Sequence, residues 1–510
     1  MKYSVDRILN QVTMYRLVLY FLIFLIVIAG LFGAIGWMPY GPVALGTSLL
    51  VVLLTCWAVD TLFAKVFHAP ANVESTYISA LILVLIITPP ASLTDVPAFV
   101  LLFWASVWAM AAKFIVTIDK KHIFNPVAFA VALTAITLGL SATWWVGTAV
   151  MLPFVLAGGL LVVRKVQRFN LVTAFLATAF IAILAFSLLN GNDGMVMAYR
   201  ALLYTSALFF ATVMLTEPLT TPPTRSLQVM YGIIVGLLFA PQLHIGPIYF
   251  TPELALLCGN VFSYAASPKG RQILKLEQKV LIAPDTYDFI FQTDKKPAFR
   301  PGQYLELTLG HPNPDSRGNR RYFTIASSPT ESGVRFGIKF HPDSSSSFKK
   351  WMQSMSPQDE LVASQLAGDF VLPSDPQKKL VFIAGGIGIT PFRSMLKYLS
   401  DRNEKRSVVL FYSNYHVSEI AYADVLNEAR QKLGVKTVYT LTDPATVPAD
   451  WTGRKGFITS EMIESEVPDY RDRTFYVSGP HAMVVSVEKT LASMGVPSHQ
   501  IKPDFFPGFA

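Results

Sequence analysis

The sequence predicts a multi-domain fold: a polytopic α-helical membrane domain of about ten segments, followed by a soluble half of short strands and helices. Three observations carry this expectation. At 510 residues the chain is too long for one ordinary domain. Hydrophobic residues make up 52% and charged residues 15%, with a mean hydropathy of +0.43, the profile of a chain partly dissolved in lipid. The charges are unevenly spread, because residues 1–265 form a series of long apolar runs while 266–510 hold most of the Lys, Arg, Asp and Glu.

The apolar segments run roughly 16–37, 43–64, 77–90, 97–117, 125–140, 145–163, 171–189, 199–215, 228–241 and 247–266. The first reads as a span rather than a signal peptide, since it is long and has no small-residue cleavage site. An even count puts both ends of the domain on one side. With a cytoplasmic N-terminus, Lys2, Arg7, Arg16, Lys65, Lys113, Lys120, Lys121, Arg164, Lys165, Arg168, Arg225, Lys269 and Arg271 all fall inside, and only Arg200 falls near an outer loop. This bias supports ten crossings in a cell membrane with a cytoplasmic C-terminal half. It also accounts for the net charge of +8 without invoking nucleic acid.

Breaks recur five segments apart and on opposite predicted faces. Thr88-Pro89-Pro90 is matched by Thr221-Pro222-Pro223, and Phe124-Asn125-Pro126 by Phe250-Thr251-Pro252. Proline interrupts the helical ladder, and broken backbone at membrane depth needs protein or a cavity to satisfy it. The pattern therefore predicts an inverted repeat with a central ligand site. Thr-Pro pairs that merely cap helix ends in loops are the plainer alternative. Ligand count excludes two stacked haems, because only His68, His122 and His244 lie in this half, all near segment ends. Cys56 and Cys258 are too few for an iron–sulfur cluster and read as buried thiols.

Residues 75–93, 122–133 and 211–238, with their Phe-Asn-Pro and Thr-Glu-Pro-Leu-Thr-x-Pro stretches, resemble known membrane subunits. These are the flavin-carrying subunits of the sodium-pumping NADH:quinone reductase and of the Rnf ferredoxin:NAD oxidoreductase. The resemblance covers about 200 residues and implies FMN, or a related flavin such as riboflavin, bound within residues 1–268, with Asn125 at the site. Many members attach FMN covalently to a threonine in Ser-Gly-Ala-Thr. This chain has Ser141-Ala142-Thr143 in a short predicted outer loop, without the glycine or an upstream acidic residue. Thr143 is thus a candidate attachment site, but a non-covalent flavin is favoured. The plainer reading of this stretch is a helix cap before an interfacial Trp144-Trp145 pair.

From Arg271 the pattern changes to short strands and turns. Residues 273–282 and 303–309 read as strands, with Pro301-Gly302 as a turn. In Arg321-Tyr322-Phe323-Thr324, the period of two puts the arginine and Phe323 on one face. An arginine can hold a pyrophosphate bidentately, an aromatic can lie against a flavin ring, and a hydroxyl can bond the ring's polar edge. Ser344 to Ser347 precede a helical stretch from Phe348 to Met355, and Ser346 and Ser347 at its start are candidate phosphate ligands. Next, Leu380 to Ala384 read as a buried strand running into Gly385-Gly386-Ile387-Gly388-Ile389-Thr390-Pro391 and a helix from Phe392 to Leu399. Strand, glycine-rich turn and helix start make a dinucleotide phosphate cradle. Further strands are expected at 408–412 and at 475–477, the latter leading into Ser478-Gly479-Pro480.

In this order the motifs resemble the ferredoxin–NADP reductase superfamily across nearly all of 271–510. The resemblance implies an antiparallel β-barrel binding FAD at about 269–375, then an α/β domain binding NAD(P)H at 376–510. It implies that Arg321, Phe323 and Thr324 bind the flavin, and that Gly385, Gly386, Gly388 and Thr390 cradle the nicotinamide cofactor. Gly479 and Pro480 line the nicotinamide side, Ser478 stands where a cysteine is common, and Phe509 covers the flavin ring. No acidic residue stands at the end of the second nucleotide strand to hold a ribose diol, where Ser413, Asn414 and His416 follow, which slightly favours NADPH. Arginine is missing there too, so both cofactors stay open.

Joined, the halves read as a conduit from cytoplasmic NAD(P)H through FAD to a membrane flavin, and on to an unidentified acceptor (a quinone, an extracellular acceptor or a protein). Asp60 and Glu217, the acidic residues nearest the segments, read as interfacial charges. The alternative is a transporter-like flavin- or solute-binding membrane protein carrying a fused regulatory reductase.

Overall fold

The computed structural model describes residues 5, 9, 12–67, 73–118, 121–203, 206–267, 270–295, 297–311, 315, 318–340, 345–443, 445 and 447–504. The chain divides into two compact units between Gly270 and Arg271.

The first unit is helical: α1 (Met14–Ala34), α2 (Pro42–Val66), α3 (Val73–Ile86), α4 (Val96–Ile115), α5 (Pro126–Leu138), α6 (Leu152–Val166), α7 (Phe169–Leu189), α8 (Gly194–Leu203), a π-helical turn at Phe210–Met214, α9 (Arg225–Leu238) and α10 (Pro252–Ala266). Among the described residues, α1, α2, α4 and α7 are long and apolar enough to cross a membrane. The apolar α3, α5 and α9 have 14, 13 and 14 residues, about 20 Å each, short of a hydrocarbon core of about 30 Å.

One local unit occurs twice. The hairpin Thr117–Ile118/Lys121–His122 precedes Asn125, which caps α5 by accepting the Ala128 N–H, with Pro126 in the first turn. The hairpin His244–Ile245/Ile248–Tyr249 precedes Thr251, which caps α10 by accepting the Leu254 N–H, with Pro252 in the first turn. Each proline sits where its missing N–H costs nothing.

Two expectations are corrected here. Trp144 and Trp145 are not an interfacial pair but buried, because α3 stops at Ile86 and its terminal carbonyls need donors. Thr143 and Trp144 donate backbone N–H groups to Ile86 O at 3.0 and 2.8 Å, and the Trp145 indole donates to Val84 O and Ile87 O at 2.9 and 3.0 Å. Thr143 therefore caps no helix start; its hydroxyl shares a 2.8 Å hydrogen bond with that of Thr88. Cys56 is buried, but Cys258 is exposed, on the outward side of α10.

Gly232 and Gly236 let α9 lie directly on α7. A Cβ at either would stand 2.7 Å from a backbone oxygen of α7, that of Leu171 or Phe175. Small residues four apart permit such backbone approach. Gly236→Leu is expected to force the helices apart and lower the thermal midpoint of the detergent-solubilised protein by at least about 5 °C. An unchanged midpoint by scanning fluorimetry would show that this contact does not matter.

The second unit begins with β1 (Gln272–Ala283), β2 (Thr286–Gln292), β3 (Tyr304–Thr308), β4 (Arg320–Thr324), β5 (Val334–Lys339), α11 (Ser347–Ser354) and β6 (Glu360–Ala367). The strands form one antiparallel sheet in the order β4-β3-β6-β1-β2-β5. The Ala326 N–H, just past β4, donates to Arg335 O on β5 at 2.8 Å, which curls the two edges together toward a barrel. Its interior holds Leu274, Phe289, Phe291, Leu307, Phe336 and Phe348.

There follow β7 (Leu380–Gly385), α12 (Thr390–Asp401), β8 (Val408–Asn414), α13 (Ala423–Leu433), β9 (Lys436–Leu441), β10 (Arg454–Lys455), α14 (Ser460–Glu466), β11 (Thr474–Ser478), α15 (His481–Ser493) and β12 (Ile501–Pro503). The strands form a parallel sheet ordered β10-β9-β8-β7-β11-β12. Alternation along β7 sends Leu380, Phe382 and Ala384 into the core beneath α12 and α13, and Val381 and Ile383 into the core beneath α14 and α15. Both faces are thus covered, as an all-parallel sheet requires.

Barrel and sheet are clipped together within this unit. Arg393 on α12 pairs with Glu331 and donates to Ala326 O at 3.0 Å, Ser394 Oγ donates to Ser327 O at 2.6 Å, and Tyr422 Oη donates to Asp288 at 3.0 Å. Burial opposes ionisation of Glu331, but the hydrogen bond and charge of Arg393 outweigh it and hold its carboxyl below the usual range. A lowered folded pKa adds stability that is complete above the unfolded value, about 4.3, and is lost as pH falls through the folded one. Melting of the second unit should therefore drop steeply below about pH 4.5, and Glu331→Gln should flatten that acid limb. Parallel acid limbs in both proteins would remove Glu331 from the account.

Candidate functional site

β7 lies between β8 and β11, pairing in parallel with both. The chain builds outward from β7 through β8, β9 and β10, then returns to lay β11 on β7's other side. The order reverses there, and in open α/β sheets ligands bind at the carboxyl ends of the strands flanking such a switch point.

Two loops meet at this place. β7 runs through Gly385 into a 3-10 turn, Gly386–Ile389, and α12 starts at Thr390 with Pro391 in its first turn. β11 ends at Ser478, and Gly479-Pro480 leads into α15. Gly386 has φ +51° and a Cβ there would meet nothing within 4 Å, so bare backbone faces open space. Gly388 is the opposite case, since a Cβ would lie 2.6 Å from Gly479 N. A Cβ on Gly385 would likewise crowd Pro480 and Met483. These glycines let the two loops touch beside the start of α12, and a helix N-terminus next to bare backbone suits a pyrophosphate. Thr390 is buried, its methyl 2.8 Å from where a Cβ on Gly337 of β5 would sit, so it packs toward the barrel. Ser478 is buried and donates through Oγ to Asp504 at 2.9 Å, while the Asp504 N–H returns to Val477 O at 2.7 Å. Phe509 lies outside the described residues.

On the barrel, Arg321 and Phe323 share a face of β4. The Arg321 guanidinium stands 5.6 Å over the Phe348 ring, and the Phe323 ring stacks on Phe348 with centroids 6.0 Å apart. Phe348 lies in the first turn of α11, so a buried arginine, a half-buried aromatic and a helix N-terminus gather at one spot. That donor set fits the pyrophosphate and ring of a flavin dinucleotide. Ser346 accepts the Lys349 N–H as the helix cap. Ser347 exchanges two 2.9 Å bonds with Asp315 and bonds His311 at 3.0 Å. Both hydroxyls thus shape the loop. Thr324 is buried and stands opposite Tyr304.

In the helical unit, Asn125 joins a buried polar chain. Its amide donates to Glu217 at 2.9 Å, its N–H donates to Asn260 at 2.8 Å, and Asn260 donates to Tyr231 Oη at 2.9 Å. Thr220 Oγ1 also donates to Glu217, at 3.0 Å. Asp60 is buried and Glu217 half-buried. Glu253, which sequence reading passed over, is buried in the first turn of α10 and accepts from the Trp144 indole at 3.2 Å.

Residues 382–489 match the model of the oxidoreductase NAD-binding domain. The chain is 28% identical over 221 residues to a flavohemoprotein of Bacillus cereus, covering 42% of this chain and 54% of that one. It is 27% identical over 231 residues to the glycine betaine monooxygenase reductase subunit of Chromohalobacter salexigens, covering 44% and 61%. A cytochrome P450 reductase of Amycolatopsis aligns at 23% identity and a TM-score of 0.42, over 47% of this chain and 70% of that one. The chain spans about half to three-fifths of the length of these two curated relatives. Its C-terminal half is ferredoxin–NADP reductase-like, related in sequence to NAD(P)H:flavin oxidoreductases.

Proposed function

We propose that the chain is a membrane flavoprotein oxidoreductase that moves electrons from cytoplasmic NAD(P)H, through FAD, to a second flavin in its helical half and on to an acceptor in or across the bilayer. The observation that supports this most is the switch-point crevice, where Gly385, Gly386, Gly388 and Gly479 bring two loops into contact beside the start of α12. FAD, when bound, accepts a hydride pair and releases electrons singly, which suits the junction to one-electron chemistry.

The chain's part is binding and orientation. Residues 269–375 would hold FAD through Arg321, Phe323, Thr324 and the loop shaped by Ser346 and Ser347. Residues 376–510 would hold NAD(P)H through Gly385, Gly386, Gly388, Thr390, Gly479 and Pro480, with Ser478 and Phe509 beside the reacting ring. Ser478 is kept in place by Asp504, so its hydroxyl does not swing into the crevice. Residues 1–268 would hold non-covalent FMN or riboflavin between the paired breaks of an inverted repeat. Asn125 lies at one break, tied to Glu217, and Thr88 at another, where its hydroxyl shares a hydrogen bond with that of Thr143. A hydrocarbon core of about 30 Å is too far for one rapid electron jump, so a carrier within this half is needed.

Acid release and chromatography of the flavins from the purified full-length protein test this. One FAD and one FMN or riboflavin per chain are expected, with no fluorescence left on the polypeptide. Fluorescence retained after denaturation would point to covalent attachment at Thr143. FAD alone would leave the conduit without its carrier.

A further inference from the structure

Beyond the crevice, the carboxyl ends of β8 and β9 form a neighbouring ledge. The two strands pair up to Asn414 and Leu441. The chain then folds back, and Thr442 donates to Asn414 O through its N–H at 2.9 Å and its hydroxyl at 3.3 Å. This places Asp443 beside His416, with Oδ2 4.0 Å from Nδ1. The other carboxylate oxygen accepts the Ala445 N–H at 3.0 Å, which fixes its orientation. Both side chains reach solvent. Two exposed aromatics flank the ledge in sequence: Tyr415, next to His416, and Phe457, just past β10.

A dinucleotide whose pyrophosphate rests on the glycine turn after β7 carries its adenosine over the adjoining strand ends, and the ribose hydroxyls there are matched by a carboxylate. Sequence order hides that carboxylate, because Asp443 follows the third strand. Parallel pairing delivers it to the end of the second. The cations nearby are mostly committed: Arg454 is paired with Glu466, and Lys339 with Glu419 at 3.1 Å. Lys455 stands in register with Leu441 and is the rival that would favour a phosphate.

We infer that the reductase half selects NADH over NADPH, with Asp443 as the specificity-determining residue that accepts the adenosine ribose diol and repels a 2′-phosphate. The inference rests on the function proposed above. The diol donates to the carboxylate, whereas a 2′-phosphate sets like charges together, and such a juxtaposition lowers affinity strongly.

Calorimetric titration of the full-length protein with 5′-AMP and with 2′,5′-ADP tests this without turnover. The first is expected to bind at least about tenfold tighter, and Asp443→Asn to bring the two within about threefold by strengthening 2′,5′-ADP. Tighter binding of 2′,5′-ADP by the unaltered protein, or equal binding, overturns the inference and leaves the reductase reading intact. Reversal of that order by Lys455→Ala would identify Lys455 as the residue in charge. A preference that survives Asp443→Asn removes the role given to Asp443. Failure of both nucleotides to bind overturns the reductase reading itself.

Discussion

Gly388→Ala is expected to reduce the rate of flavin reduction by NADH, at subsaturating nucleotide, by about 100-fold, because displacing a positioning loop by roughly 1 Å can cost that much. The added Cβ would press on Gly479 N and on the Ser478 carbonyl, both backbone atoms. Neither has a rotamer through which to yield, so one whole loop must move. Ser478, which is anchored on Asp504, resists from one side, and the first turn of α12 resists from the other. Stopped-flow reduction by NADH reads the loss. Reduction by dithionite, which needs no nucleotide site, should be unchanged and the bound FAD retained. Normal reduction by NADH would mean that the close approach of the two loops is incidental.

Arg321→Ala is expected to strip FAD from the protein, leaving under about a tenth of the flavin after gel filtration, since each lost charge-assisted hydrogen bond weakens binding by about 1.5–3 kcal/mol. Arg321→Lys should be intermediate, because an ammonium keeps the charge but not the planar fork. Loss of packing is a second component, as the guanidinium also covers Phe348. The flavin proposed for the helical half is expected to stay in place, so acid release should show FMN or riboflavin without FAD. Simultaneous loss of both flavins, with an unchanged melting profile, would contradict independent sites. Full retention of FAD would remove Arg321 from the site.

The glycine turn, the Arg321–Thr324 strand and the long apolar helices were legible because each depends on neighbours in sequence. A strand period, a helix period or a turn residue states its own requirement. What escaped depends on partners brought from far away. Lys436–Leu441 mixes polar and apolar residues and declares itself a strand only beside β8. Asp443 comes after the third strand in sequence, and only that pairing sets it next to His416. Trp144 and Trp145 look interfacial by type, yet the unmet carbonyls at the end of α3 draw them inward. Cys258 looks buried among apolar neighbours, but α10 turns that face outward, and apolar neighbours in sequence are no sign of burial.

β7 and its two neighbours also set a schedule for synthesis. Leu380 pairs with Val408 and with Thr474, so the second flank of this central strand is made about 90 residues after the strand itself. At 5–20 residues per second that is a wait on the order of 5–20 s. Throughout it, β7 presents a bare, apolar edge at the ribosome while the helical half has already been synthesised. A chaperone that holds hydrophobic strands would have its longest opportunity here, and a ribosome stalled before Thr474 would release a chain whose barrel is complete and whose central sheet is open on one side.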